Sequence, residues 1–184
     1  MDYRRDNRTK KQFALDIKKS CQSETEIAVR LCILRYNKDK RWPILLPTGI
    51  NMDGKVLKKA DSTPDFMIDG KFIEVARSDK VCQNKYFHIK THKVHKAIDE
   101  QFDIVFVNGL KEEKEPFFAT MTPEILTKLV VLSKEKYGVV KHPGFGNSGI
   151  INKPAYRFDM KWLEWLVLPK FRKDIPADYK LIIG

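Results

Sequence analysis

At 184 residues the chain has room for one domain core of ordinary size and not for two independent ones. With 42% hydrophobic and 11% aromatic residues it has globular composition, and no stretch approaches the roughly 20 apolar residues of a membrane span. The net charge of +11, from 35 basic and 24 acidic residues, favours a polyanionic partner, with nucleic acid ahead of anionic membrane or a merely soluble basic surface.

The N-terminal residues are polar, without the apolar stretch of a secretory signal. Cys21, Cys32 and Cys82 cannot all pair within one chain and form no Cys-x-x-Cys motif, so a reducing cytoplasm is the expected location. Residues 1–12 carry Arg4, Arg5, Arg8, Lys10 and Lys11 and read as a basic arm. Phe13, Ala14 and Ile17, then Ile27, Ala28, Leu31, Cys32 and Leu34, recur at helical spacing. Ser23-Glu24-Thr25-Glu26 has the form of a capping box, so two helices, or one broken helix, are expected with a restart at Ser23.

Pro43, Pro47 and Gly49 around Ile44-Leu45-Leu46 leave at best a short edge strand. Phe66-Met-Ile68 leads into Asp69-Gly70, a dipeptide suited to a tight hairpin, with Lys71–Ala76 as the return strand. Phe87, Val94, Ile98 and Phe102 predict an amphipathic helix through Gln83 to Phe102. Asp103–Asn108 is a nearly continuous apolar run suited to a buried strand, and Phe117–Met121 is a second one. Thr122-Pro123-Glu124 opens a further helix, His142–Gly149 reads as a loop, and Asp159–Leu168 as a short aromatic helix. The order predicts an α/β or α+β domain with a mixed sheet flanked by helices.

Two acids stand out against this frame. Asp65 precedes one hairpin strand and Glu74 lies on the other, so cross-strand pairing brings both carboxylates to one edge of the sheet. Hard divalent cations prefer such oxygens, and hydrolysis of a phosphodiester uses such a cation to neutralise the phosphate and to lower the pKa of the attacking water.

The stretch from Ser23 to Asn108, roughly half the chain, resembles the PD-(D/E)XK (restriction-endonuclease-like) nuclease superfamily. Pro64-Asp65 stands at that family's Pro-Asp, Glu74-Val75-Ala76 at its acid-x-lysine, and Glu26, or else Glu24, at the acid of its first helix. The resemblance implies a restriction-endonuclease-like fold and Mg²⁺-dependent cleavage of double-stranded DNA, with Mn²⁺ as an alternative metal. It implies a metal held by Asp65, Glu74, the carbonyl of Val75 and Glu26. Ala76 departs from the pattern at the lysine. Lys80 and Lys90 are the expected replacements, with Lys85 and Lys93 behind them. On this reading 1–184 is a single nuclease-like domain: a basic arm at 1–12, a catalytic core at 23–121, and recognition or dimerisation elements at 122–184. A homodimer would bring one site to each strand.

His88, His92 and His95 fall at i, i+4 and i+7 of the expected helix, a spacing open to a transition metal. Lysines 85, 90, 93 and 96 interleave with them, so Lys85, His88, His92, Lys93 and Lys96 read better as phosphate contacts. Gly144-Phe-Gly-Asn-Ser-Gly149 has the letters of a dinucleotide-binding loop without the flanking strand and helix. A loop contacting substrate through Lys141, His142 and Asn147 is the better reading. Trp162 and Trp165 are expected in packing. Two other functions fit the same residues. One is a metal-independent RNase or tRNase toxin of the barnase, EndoU and colicin group, some of which share an Asp-Phe-x-Ile-x-Gly-Lys hairpin. The other is a non-catalytic nucleic-acid-binding protein on a nuclease fold.

Overall fold

The computed structural model describes residues 9–49, 63–82, 85–112, 115–141 and 153–183. Most of the basic arm, the expected helix start at Gln83, His142 and the glycine-rich loop with Asn147 lie outside them.

Helix α1 (Lys10–Asp39) runs 30 residues without a break, about 45 Å at the standard rise. The expected restart at Ser23 is therefore corrected: the capping box sits at the true N-terminus, where Thr9 accepts from the Gln12 amide and Gln12 reaches back to the Thr9 amide. At the other end Lys40 adopts a left-handed conformation (φ 56°) and its amide returns to the Tyr36 carbonyl at 2.8 Å.

Next come β1 (Leu45–Pro47), β2 (Phe66–Ile68) and β3 (Lys71–Ser78). Asp69 and Gly70 both take positive φ, 50° and 79°, the requirement of a two-residue hairpin. The Asp69 carboxylate accepts from the Ile44 amide at 2.8 Å and from Arg41 at 3.0 Å, which ties the turn to the start of β1. Strand β5 (Asp103–Asn108), buried throughout, pairs parallel to β3, and β6 (Phe117–Met121) pairs antiparallel to β5. With β9 (Leu166–Val167) they form a six-stranded mixed sheet in the order β1-β2-β3-β5-β6-β9.

The crossover from β3 to β5 departs from a single long helix. It contains β4 (Tyr86–Lys90) and only then α2 (Thr91–Asp99). Phe87 and Ile89 are buried while Tyr86, His88 and Lys90 are partly exposed, a period-2 pattern that belongs to a strand. Strand β4 pairs with β8 (Pro154–Asp159), which also pairs with β7 (Val140–Lys141), in a three-stranded antiparallel sheet. Asp159–Leu168 is likewise not a helix. It holds the end of β8, a single 3-10 turn at Met160–Trp162, and β9. Helix α3 (Pro123–Tyr137) begins where Thr122-Pro123 places it, with the Thr122 hydroxyl accepting from the Ile125 amide, and α4 (Ala177–Ile183) closes the described chain.

The fold is thus mixed α/β, with helices on both faces of the larger sheet. On one face, Ile27, Ala28 and Leu31 of α1 pack with Ile73, Val75, Val105, Val107 and Tyr179. On the other, Ile104 and Phe106 pack with Val94 and Ala97 of α2, Leu126 of α3, and Phe87 and Phe158 of the smaller sheet. Alternation along β3 therefore sends Ile73 and Val75 toward α1, and Glu74 and Ala76 toward α2. Among the described residues no helix is long and apolar enough to cross a membrane.

Candidate functional site

The hairpin register pairs Phe66 with Ile73. Continuing one step places Asp65 opposite Glu74, where the ladder ends and a side chain takes over from the backbone. The Val75 amide donates to Asp65 Oδ2 at 2.7 Å. The Asp65 carbonyl accepts from the amides of Thr48 at 2.9 Å and Gly49 at 3.2 Å, and the Thr48 hydroxyl donates to the Pro64 carbonyl at 2.6 Å. Gly49 is required there, since a Cβ would stand 2.3 Å from the Thr63 carbonyl oxygen. Asp65 is in this way fixed by backbone contacts on both sides.

Glu74 is buried, with 9% of its surface exposed, and forms an ion pair with Lys93 in the first turns of α2. Glu24 of α1 completes the group. Its carboxylate accepts from Ser20 Oγ at 2.7 Å and lies within electrostatic range of Glu74, Lys93 and Arg77. Burial raises the Glu24 carboxyl, a shift that Glu74 reinforces and that Ser20, Lys93 and Arg77 oppose. Asp65 is affected most. Burial, then the charges of Glu74 and Glu24, push it up to about 8 against the pull of Lys93 and the Val75 amide. Burial also acts against the charge on Lys93, but Glu74, Asp65 and Glu24 outweigh it and hold its ammonium above the usual lysine range.

The acid contributed by α1 is thus Glu24 rather than Glu26. Glu26 pairs with Arg30 at 3.1 Å, and Arg30 in turn donates to the carbonyls of Pro169 at 2.6 Å and Leu168 at 3.0 Å. That network fastens the C-terminal segment to α1. The lysine that pairs with Glu74, and that Asp65 and Glu24 influence by charge, is Lys93. Lys80 is exposed in the bend after β3, where its carbonyl accepts from Ser78 Oγ at 2.6 Å. Lys90, at the end of β4, is near enough for Glu74 and Lys93 to affect it. Its burial, with repulsion from Lys153 and Lys93, depresses it to about 8. His92 is pushed down by burial first and then by Lys90, Lys153 and Lys93.

The remaining candidates spread over the neighbouring surface. His88 lies on β4 and accepts from Arg157 Nε at 3.2 Å, and His95 contacts the Tyr156 hydroxyl at 2.9 Å, so the three histidines do not share a helix face. Lys85 is exposed in the turn before β4, Lys96 pairs with Glu100 at 3.6 Å, and Lys141 is exposed on β7. Trp165 packs on Phe87 and Phe106, with its Nε1 donating to the Met160 carbonyl at 2.7 Å.

Among the described residues no three His, Cys, Asp or Glu side chains are gathered as a ready metal-binding group. The fit to a divalent cation rests on the smaller set of Asp65 and Glu74, with Glu24 alongside. Its donors are all oxygens, and burial together with the repulsion between its acids holds a proton on Asp65 near neutral pH; a hard cation relieves that repulsion. Comparison with protein-family models, curated proteins and solved structures finds no match to this chain.

Proposed function

We propose that the protein is a Mg²⁺-dependent endonuclease that hydrolyses phosphodiester bonds in DNA, with Mn²⁺ able to substitute. The observation that carries this reading is the crowding of Asp65, Glu74 and Glu24 around a single contacting lysine, Lys93. Asp65 and Glu74, with the Val75 carbonyl and with Glu24 behind them, would hold the metal. When bound, Mg²⁺ supplies charge neutralisation at the phosphate and a lowered pKa for a coordinated water. The protein's own part is positional. The Val75 amide orients Asp65. Lys93, whose carboxylate neighbours keep it protonated, can shift its donor from Glu74 to the attacking water or a phosphate oxygen. This assigns to Lys93 the role open at Ala76, ahead of Lys80 and Lys90.

The charge of +11 supports nucleic acid as the partner, with Lys85, His88, His92, Lys96 and Lys141 as its outer contacts. A homodimer acting in the cytoplasm would deliver one site to each strand of a duplex. The ion pair between Lys93 and Glu74 favours a second reading, a protein that binds nucleic acid without cutting it.

Incubation with plasmid DNA and with tRNA, each in Mg²⁺, Mn²⁺ or EDTA, tests these readings. The expected outcome is metal-dependent DNA cleavage that falls at least about a thousandfold in Asp65→Ala and in Glu74→Ala with folding retained. Cleavage indifferent to both substitutions removes the site. tRNA cleavage in EDTA points to the toxin class, and binding without cleavage in either metal to the second reading.

A further inference from the structure

One face of the β4–β8 ribbon, partly exposed at Tyr86, His88, Lys90 and Arg157 and closed over Ala155 and Asp159, carries a row of aromatic and cationic side chains that leads toward the carboxylates. Register pairs Tyr86 with Asp159, His88 with Arg157, and Lys90 with Ala155, so these residues share the face opposite Phe87 and Ile89. At the far end the Arg157 guanidinium lies 4.4 Å over the Tyr86 ring and 5.1 Å from that of Tyr137. At the near end, β4 finishes at Lys90 and β8 begins just after Lys153, so the antiparallel pairing places two lysines beside the first turn of α2 and His92. From there Lys93 reaches Glu74.

The charge balance on this row is one-sided. Asp159 is already held by Lys136 at 2.6 Å and by Tyr137. Among the described residues no ion pair joins Lys90, His92 or Lys153 to a carboxylate. Burial depresses Lys90 and His92, and repulsion among Lys90, Lys153, Lys93 and His92 adds to it; an anion relieves that repulsion. Phosphates spaced along a strand supply such anions. The partly exposed tyrosine at the far end offers a ring to stack on, which a duplex with its bases already stacked cannot use.

We propose that this face of the β4–β8 ribbon is a binding track for single-stranded nucleic acid, with Lys90 and Lys153 holding phosphates next to the carboxylates and Tyr86, braced by Arg157, stacking a base. The track rests on the nuclease reading only for its direction of approach; binding itself needs no metal. It delivers an unpaired strand, a flap or an opened duplex end, to Asp65 and Glu74.

Fluorescence anisotropy of the full chain in EDTA tests it, with a labelled single-stranded DNA of about 12 nucleotides, RNA of that length, and the matching DNA duplex. The single strands bind at least about tenfold tighter than the duplex, and their relative affinities identify the preferred sugar. Lys90→Gln with Lys153→Gln weakens single-strand binding by about tenfold or more and lowers the salt slope by about 1.4, the release from two phosphates. Tyr86→Leu costs about tenfold without changing that slope. Circular dichroism melting confirms folding, and if Tyr86→Leu unfolds the lysine pair still decides. A duplex that binds as tightly as the single strand overturns the track, as does a lysine double variant with wild-type affinity and slope. If the single strand binds as expected but nothing is cut in Mg²⁺ or Mn²⁺, the nuclease reading fails and the track stands. Cleavage with normal binding by the lysine double variant gives the reverse.

Discussion

Strand β3 takes part in two pairs of a shielded carboxylate with a lysine, one at its start and one at its middle, and the two differ in their company. At its start Lys71 meets Asp103 of β5 at 2.8 Å, with the acid 8% exposed. Farther along, Glu74 meets Lys93, with the acid's side chain 11% exposed. The first pair is one acid with one base; it neutralises Asp103 and leaves the buried Oδ1 without a hydrogen-bond partner among the described residues. At the second, Asp65 and Glu24 crowd in on the same lysine, and the nearby Arg77 is already engaged with Asp79. Burial and ion pairing do not distinguish the two pairs; unbalanced charge does. A site that keeps more carboxylates together than its bases neutralise is less stable than it would be with fewer, and such surplus marks functional positions.

The largest test of this contrast is the exchange of the two lysines for alanine. Lys93→Ala is expected to lower the single-turnover rate of plasmid cleavage in Mg²⁺ by about a hundredfold or more. Lys71→Ala should stay within about threefold, because the partner of Lys71 is Asp103, outside the group of acids around Lys93. Comparable losses in both variants would erase the distinction between the two pairs.

A smaller effect separates the two acids of α1. Glu24→Gln is expected to weaken cleavage or the apparent Mg²⁺ affinity by about tenfold, the usual scale for a group that supports metal ligands. Glu26→Gln leaves both unchanged and lowers the melting temperature slightly through Arg30. Isothermal titration with Mg²⁺ and thermal melting of the two variants check this directly, and a Glu26→Gln defect in metal binding would return that residue to the site.

The smallest effect is a gain. In the folded chain Asp65 keeps its proton up to about pH 8, whereas an unfolded aspartate loses it near pH 4. Between those values the unfolded state binds fewer protons, so Asp65 makes stability fall as pH rises from about 4 to about 8. Asp65→Asn removes this penalty. In metal-free buffer it should raise the melting temperature by several degrees at pH 8 and leave it unchanged near pH 4. Differential scanning calorimetry at the two pH values reads it. A gain of equal size at both would mean that the acid is not crowded.

The elements legible in the sequence are those with a strong local signal. Asp69-Gly70 leaves few turns other than a tight hairpin, the apolar run of Asp103–Asn108 suits a fully buried strand, and Thr122-Pro123 is a clear helix start. The carboxylate pair followed from the hairpin alone. What escaped depended on helix phase and on partners far away in sequence. Glu24 stands three, four and seven residues before Ile27, Ala28 and Leu31, on the buried stripe of α1, a signal that the apparent capping box at Ser23 obscured. Lys93 could be placed only once Tyr86–Lys90 was understood as a strand, because the helix start fixes which lysine turns toward the sheet. The alternation of Tyr-Phe-His-Ile-Lys was legible, but the helical spacing of His88, His92 and His95 competed with it. Strand β8 supplied the deciding partner from more than sixty residues away.

The Asp69–Gly70 turn has a consequence beyond its geometry. Side chains on a strand alternate with period two, so a hairpin loop lengthened by one residue at constant pairing of β2 would slide β3 by one place. Val75 would then face Lys93, and Glu74 would point into the apolar layer beneath α1. Two positive-φ residues and the grip of Arg41 and the Ile44 amide on Asp69 therefore select, by parity alone, whether this sheet presents an acid or a hydrocarbon to the lysine across from it.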